Sequence, residues 1–290
     1  MTRKEIRFLS ALISLLTLLL SLAVAAAQRP PQPEDFTIVN ANMLDSEDGY
    51  PIDADSEYFP GERVFLRFNV GGYTRGEFDR VHISWQIDSF GPEGRQFVEQ
   101  EQGFIDTELS PQDKEWLPII RHSPMIPPHA GAGTYRVVLR VVDELSRKEV
   151  IQEMPIRVVG MRLEAAEGLT IRSLSFQRTA EGEKLAAAPV YRRGDQVWMT
   201  FYITGYQLGE DNAFTVRSNL RLFNAEDEVV LRLPPHEEKG ATFYPRRWLP
   251  ATLRLDLDPM IPNGEYDVVI SLEDGVSGAT HESTYSFTVR

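Results

Sequence analysis

The sequence contains no cysteine, which excludes a disulfide framework, thiol catalysis and cysteine-ligated metals. It also excludes a lipidated N-terminal cysteine as an anchor. Histidine is scarce, at five residues. His236-Glu237-Glu238 and His281-Glu282-Ser283 both fail the H-E-x-x-H spacing that places two imidazoles on one zinc. His82, His122 and His129 are as scattered as these two, and all five read as surface or half-buried side chains rather than ligands. A nucleophile elbow is missing too, because Gly275-Val276-Ser277-Gly278 lacks the G-x-S-x-G spacing and falls in an expected hairpin turn. No catalytic residue, cofactor or metal is expected, and the chain does not read as an enzyme.

Positive charge is the minority sign, with 30 Lys and Arg against 43 Asp and Glu, a net of −13. An acidic surface repels phosphate backbones, so nucleic acid is not an expected partner. The dipeptides Arg192-Arg193 and Arg246-Arg247 are too small to make a phosphate-binding patch. Long apolar runs are lacking except one, Phe8 to Val24, preceded by basic Arg3, Lys4 and Arg7 and followed by Ala25-Ala26-Ala27. That is the pattern of a secretory signal peptide over residues 1–27, with an uncleaved anchor as the alternative. Cleavage removes three basic and one acidic residue, leaving 27 against 42, a net of −15. The expected location is periplasmic or extracellular, with no membrane association after cleavage.

What the chain does have, it has twice. Residues 28–35 form a proline-rich spacer, and Tyr58-Phe59-Pro60-Gly61-Glu62-Arg63-Val64 then returns 133 residues later as Tyr191-Arg192-Arg193-Gly194-Asp195-Gln196-Val197. Each turn leads into an alternating run. Val64, Leu66, Phe68 and Val70 point one way in the first copy, as Val197, Met199, Phe201 and Ile203 do in the second. Period-two alternation argues a half-buried strand of an antiparallel sheet. Trp116-Leu117-Pro118 recurs as Trp248-Leu249-Pro250, and Gly133-Thr134-Tyr135-Arg136-Val137 as Gly264-Glu265-Tyr266-Asp267-Val268. No segment holds a 3.6-residue apolar period. About seven short strands per copy, with turn signals between, predict an all-β chain of two tandem sandwiches. The expected spans are 36–159 and 169–290, with 160–168 as a short linker.

Gly-x-Tyr-x-Val resembles the strand of immunoglobulin-like domains that carries a tyrosine two residues before an inter-sheet cysteine. Tyr135 and Tyr266 stand at that tyrosine, and Val137 and Val268 replace the cysteine. Trp85 sits where such domains bury a tryptophan, while the second copy offers Ser218 or Leu220. The chain therefore resembles the wider immunoglobulin and fibronectin type III class, and its Tyr-x-Pro-Gly-Glu-x-Val opening is similar to macroglobulin-type modules of secreted proteins. The resemblance implies a fold and a binding or spacer role, and carries no catalytic residue.

Candidate binding residues come from the outward phase of the repeated strand: Phe65 in the first copy, Trp198 and Tyr202 in the second. Outward aromatics serve as carbohydrate platforms or protein contacts, or are covered by a loop or the other domain. Trp116 and Trp248 recur at one place and read as packing residues. The acidic stretch Asp45-Ser46-Glu47-Asp48-Gly49, with Asp53, Asp55 and Glu57 beyond, offers the oxygens calcium takes but not its twelve-residue spacing. A solvated loop is the expectation there. The leading function is thus a non-enzymatic binding or structural protein with an unknown protein or glycan partner. The alternatives are a carbohydrate-binding accessory module and, less well supported, a periplasmic assembly chaperone.

Overall fold

The computed structural model describes residues 33–113, 115–160, 166–185 and 189–290. The signal-peptide reading, most of the proline-rich spacer and the centre of the linker lie outside the described residues. Eight strands form the first unit: β1 (Thr37–Leu44), β2 (Glu57–Tyr58), β3 (Phe65–Gly71), β4 (Arg80–Phe90), β5 (Glu101–Glu108), β6 (Ile119–His122), β7 (Gly133–Asp143) and β8 (Lys148–Val158). Nine form the second: β9 (Thr170–Gln177), β10 (Val190–Tyr191), β11 (Gln196–Thr204), β12 (Phe214–Phe223), β13 (Val229–Arg232), β14 (His236–Gly240), β15 (Trp248–Asp256), β16 (Gly264–Asp274) and β17 (Thr280–Val289).

In the first sandwich a three-stranded sheet, β1-β3-β6, faces a five-stranded sheet, β2-β8-β7-β4-β5. The second repeats this plan, with β15-β11-β9 facing β10-β17-β16-β12-β13 and β14 also on β12. Pairing is antiparallel except at two places. The two-residue strands β2 and β10 run parallel to the ends of β8 and β17. These immunoglobulin-like sandwiches each hold their own core. Val64, Leu66, Phe68 and Val70 are buried in one, and Val197, Met199, Phe201 and Ile203 in the other. The period-two pattern thus places the inward set as expected.

Local sequence explains the repeated corners. The bonds from Glu62 N to Phe59 O and from Asp195 N to Arg192 O close two turns whose third residues are Gly61 (φ 90°) and Gly194 (φ 79°). This is the type II geometry, which glycine takes without steric cost. The carboxylates of Glu62 and Asp195 accept the amides of Phe59 and Arg192 and brace the same turns. The corner tyrosines also behave alike. Tyr135 donates to Gly131 O at 3.1 Å and Tyr266 to Pro262 O at 2.8 Å, the tie that characterises the tyrosine corner.

A further duplicated device is a buried carboxylate. Asp143 accepts the amides of Thr74, Leu145 and Ser146, and Asp274 those of Gln207 and Val276. The Ser146 and Ser277 hydroxyls complete the two sets. Each aspartate pins the turn after its own strand to the loop that follows Tyr73 or Tyr206. Burial raises the pKa of both groups, but the hydrogen bonds to the ionised form outweigh it and hold both below the ordinary carboxylate value. A depressed folded-state pKa stabilises the fold above the unfolded value of about 4, and that contribution is lost as pH falls through the lower folded value. Asp274→Asn is therefore expected to lower stability at pH 7 by about 2 kcal/mol, because an amide oxygen cannot accept the whole set. Urea titrations should show this loss shrinking below about pH 4. A loss that is constant from pH 7 to pH 3 would contradict the charged role.

Candidate functional site

Strand β11 is the centre of its sheet, so its outward residues have neighbours on both sides. Trp198 lies opposite Arg254 of β15 and Gln177 of β9, and Tyr202 opposite Pro250 and Arg172. The Arg254 guanidinium stands 5.7 Å from the Trp198 ring centre and is itself held by Asp256 at 2.7 Å. The indole Nε1 donates to Gln196 Oε1 at 3.2 Å. Tyr202 meets the Trp248 ring edge to face, with centroids 5.5 Å apart at 84°. Between the rings lies a hydroxyl pair, Ser175 and Thr200, with oxygens 2.9 Å apart. A strand advances about 3.4 Å per residue, so Trp198 and Tyr202 are about 14 Å apart along it. The outer face thus carries a ladder of Trp198, Tyr202 and Trp248, all half-buried, with hydroxyls and arginines between and beside them.

Trp248 departs from the packing role expected of the repeated tryptophans. Trp116 precedes the short β6 and packs against the first core. Trp248 opens the nine-residue β15, where Leu249 and Leu255 take the buried phase. Alternation then turns Trp248 outward with Pro250 and Arg254. Phe65 does not join the ladder. It lies in the other sandwich, opposite Leu44, on a face that continues with Arg67, Asn69 and Arg121.

A second feature, unexpected from the sequence, is the junction of the two sandwiches. Tyr244 of the second sandwich packs against the core of the first, with its ring 6.2 Å from Tyr135 and 6.1 Å from His129. Gly91 makes room for it: a Cβ there would fall 2.6 Å from the Tyr244 hydroxyl. His129 Nε2 lies 2.9 Å from Tyr244 O, and since a carbonyl only accepts, that nitrogen carries the proton. Burial holds His129 below the ordinary imidazole value against the opposing bond to Tyr244 O, and the nearby Arg246 adds to the lowering. Arg247 bridges to Glu93 of the first sandwich at 2.8 Å. Burial and the Tyr244 hydroxyl together raise the Tyr135 phenol far above its usual range.

One constellation has the outline of a nucleophile with its base. Ser89 Oγ lies 2.9 Å from His122 Nε2, and Glu101 Oε2 is 3.1 Å from Nδ1. The serine is 0% and the histidine 2% exposed, so no substrate reaches the hydroxyl. The Ser89–His122 pair joins the facing sheets, β4 to β6, as a buried polar tie. In the acidic loop, Asp45 accepts from Ser46 and from the Tyr50 amide, and Asp48 pairs with Arg121 at 3.1 Å. No group of three or more potential ligand side chains occurs among the described residues, and no helix among them is long and apolar enough to cross a membrane.

No protein-family model matches the sequence, and no curated protein matches it. Among solved structures it is similar to the C-terminal domain of the AgI/II polypeptide BspA of Streptococcus agalactiae, at 9% identity and a TM-score of 0.31, covering 86% of this chain and 99% of that one. It is likewise similar to the C-terminal domain of the antigen I/II-family protein AspA of Streptococcus pyogenes (9% identity, TM-score 0.33, 88% and 99% covered). A third similarity is to native Escherichia coli alpha-2-macroglobulin (9% identity, TM-score 0.29), where the match spans 89% of this chain and 17% of that one.

Proposed function

We propose that the chain is an exported, non-enzymatic binding protein, made of two immunoglobulin-like modules at 36–159 and 169–290 behind a cleaved signal segment at 1–27. Recognition takes place on the outer face of the β15-β11-β9 sheet. The observation that supports this is the ladder of Trp198, Tyr202 and Trp248, three half-buried rings on two adjacent strands, on the sheet face turned away from the core. Aromatic rings separated by hydroxyls suit a ligand that is apolar on one face and hydroxylated at its edges, which describes a sugar chain better than a protein patch. A carbohydrate is accordingly the favoured occupant, with a protein contact as the other reading.

Glycan-array binding by the mature protein tests this directly. Trp198→Ala is expected to weaken binding at least tenfold, about 1.4 kcal/mol, with the fold retained and only a small lowering of the thermal midpoint, because the indole packs on the sheet surface beside Arg254 and outside the core. Undiminished array binding by the variant would remove the carbohydrate reading, and a ligand held through a protein surface would then have to be sought.

A further inference from the structure

The ladder continues past the rim of its sheet. Trp248, its last ring, also lines a cavity of about 200 Å³ between the two sandwiches. Glu93, His129 and Tyr135 contribute to the wall from the first sandwich, and Tyr244 and Arg247 from the second. A water occupies about 30 Å³ of the liquid, so the space holds about six or seven of them. This is room for one ring-sized molecule, below the roughly 300–1,000 Å³ of drug-sized sites.

The polar groups of the cavity differ in what they have left to offer. His129 is committed to Tyr244 O, and the Tyr135 hydroxyl to Gly131 O. Glu93 and Arg247 form the 2.8 Å pair with side chains 59% and 43% exposed. A carboxylate beside a guanidinium presents acceptors and donors side by side, the complement of two neighbouring hydroxyls on a sugar ring. Tyr244, seated against Gly91 and Tyr135, closes the inner wall, so a chain entering along Trp248 ends there. The charge balance selects against anionic sugars. The protein carries a net −13, and the cation at this site already has Glu93 as its counter-ion.

We infer that the cavity between the sandwiches takes the terminal ring of a neutral glycan whose preceding rings lie on the Trp198–Tyr202 face. This rests on the carbohydrate reading of that face. The glycan would be held by stacking on Trp248 and by hydrogen bonds to Glu93 and Arg247.

The test uses the full mature chain and neutral hexasaccharides of the cello, malto, xylo and chito series. Each is supplied with both ends free, with the non-reducing end blocked, and with the reducing end blocked. Trp198→Ala is expected to weaken every form of the bound series by about tenfold or more. Arg247→Ala and Glu93→Gln are expected to weaken by a similar factor only the forms that keep the recognised end free, and to leave the other blocked form within about twofold of wild type. If both cavity variants bind all forms as wild type while Trp198→Ala loses binding, the face stands and the cavity inference falls. Equal losses on free and blocked forms would overturn it as well. If no series binds, or Trp198→Ala binds as wild type, the carbohydrate reading itself fails and the inference with it.

Discussion

Phe287→Ala is expected to destabilise the second sandwich by about 3–5 kcal/mol, the full cost of truncating a buried aromatic ring. The ring is 1% exposed and stands at the centre of an aromatic cluster. It stacks on Tyr266 with centroids 5.8 Å apart at 18° and meets Tyr191 edge-on at 5.6 Å and Phe176 at 6.3 Å. The cost of such a change depends on how far the surroundings can collapse into the space. Here they are tethered. Tyr266 is held by Pro262 O at 2.8 Å and Tyr191 by Gln177 O at 3.0 Å, and burial, the main influence on the Tyr191 phenol, pushes its pKa up to about 12. Rings fixed at their hydroxyl ends cannot swing inward without breaking those bonds. A lowering of the thermal midpoint by roughly 10 °C or more follows for a domain of this size. Hydrogen exchange should show protection lost in β16 and β17 and kept in β7 and β8. A loss below about 1 kcal/mol would mean that the cluster repacks freely.

Gly205→Ala carries the other large expected effect. Gly205 has φ 77°, and a Cβ on it would lie 2.0 Å from the carbonyl oxygen of Gly168. The left-handed conformation costs an alanine about 1–2 kcal/mol. The overlap adds to this, because its other partner is backbone and cannot rotate away. The expected destabilisation is about 3 kcal/mol or more. The same close approach occurs at Gly72, where the opposing atom is Asp35 O at 2.0 Å. Gly94 supplies the comparison. It has φ 74° but nothing within 4 Å, so Gly94→Ala should show the conformational cost alone. Urea midpoints that place Gly205→Ala no lower than Gly94→Ala would refute the close-approach account.

How much of this is legible in the sequence differs from element to element. The buried phase of β3 and β11 is legible because one face of each strand meets a core and the other does not, which writes a period of two into the chain. The corner tyrosines are legible because their bonds reach back only four residues. Trp248 is not. A tryptophan at the same repeat position faces a core in one copy and the outer face of its sheet in the other, depending on where its strand begins. The junction is hidden by distance, since Tyr244 reaches Tyr135 and His129 over 109 and 115 residues. A signal for it exists all the same. Counting back from the matched tryptophans, Tyr244-Pro245-Arg246-Arg247 stands against Gln112-Asp113-Lys114-Glu115. Where two copies of one fold diverge that sharply beside a shared residue, one of them has a use the other lacks.

The aromatic cluster around Phe287 has a consequence for how the chain avoids misassembly. Two similar sandwiches on one chain are present to each other at high effective concentration, and exchange of equivalent strands is a characteristic failure of such arrays. The closing strands β8 and β17 are the natural candidates, being of similar length and pairing. Of their two equivalent buried positions one differs, however: Ile156 in β8 stands against Phe287 in β17, while Val158 and Val289 are alike. With β8 in the place of β17, an isoleucine would face the tethered rings of Tyr191 and Tyr266 and leave a void. With β17 in the place of β8, a phenylalanine would have to enter a site filled by Ile156. Each sandwich therefore recognises its own closing strand by volume. The same residues that stabilise the second core keep the two folding units from trading parts.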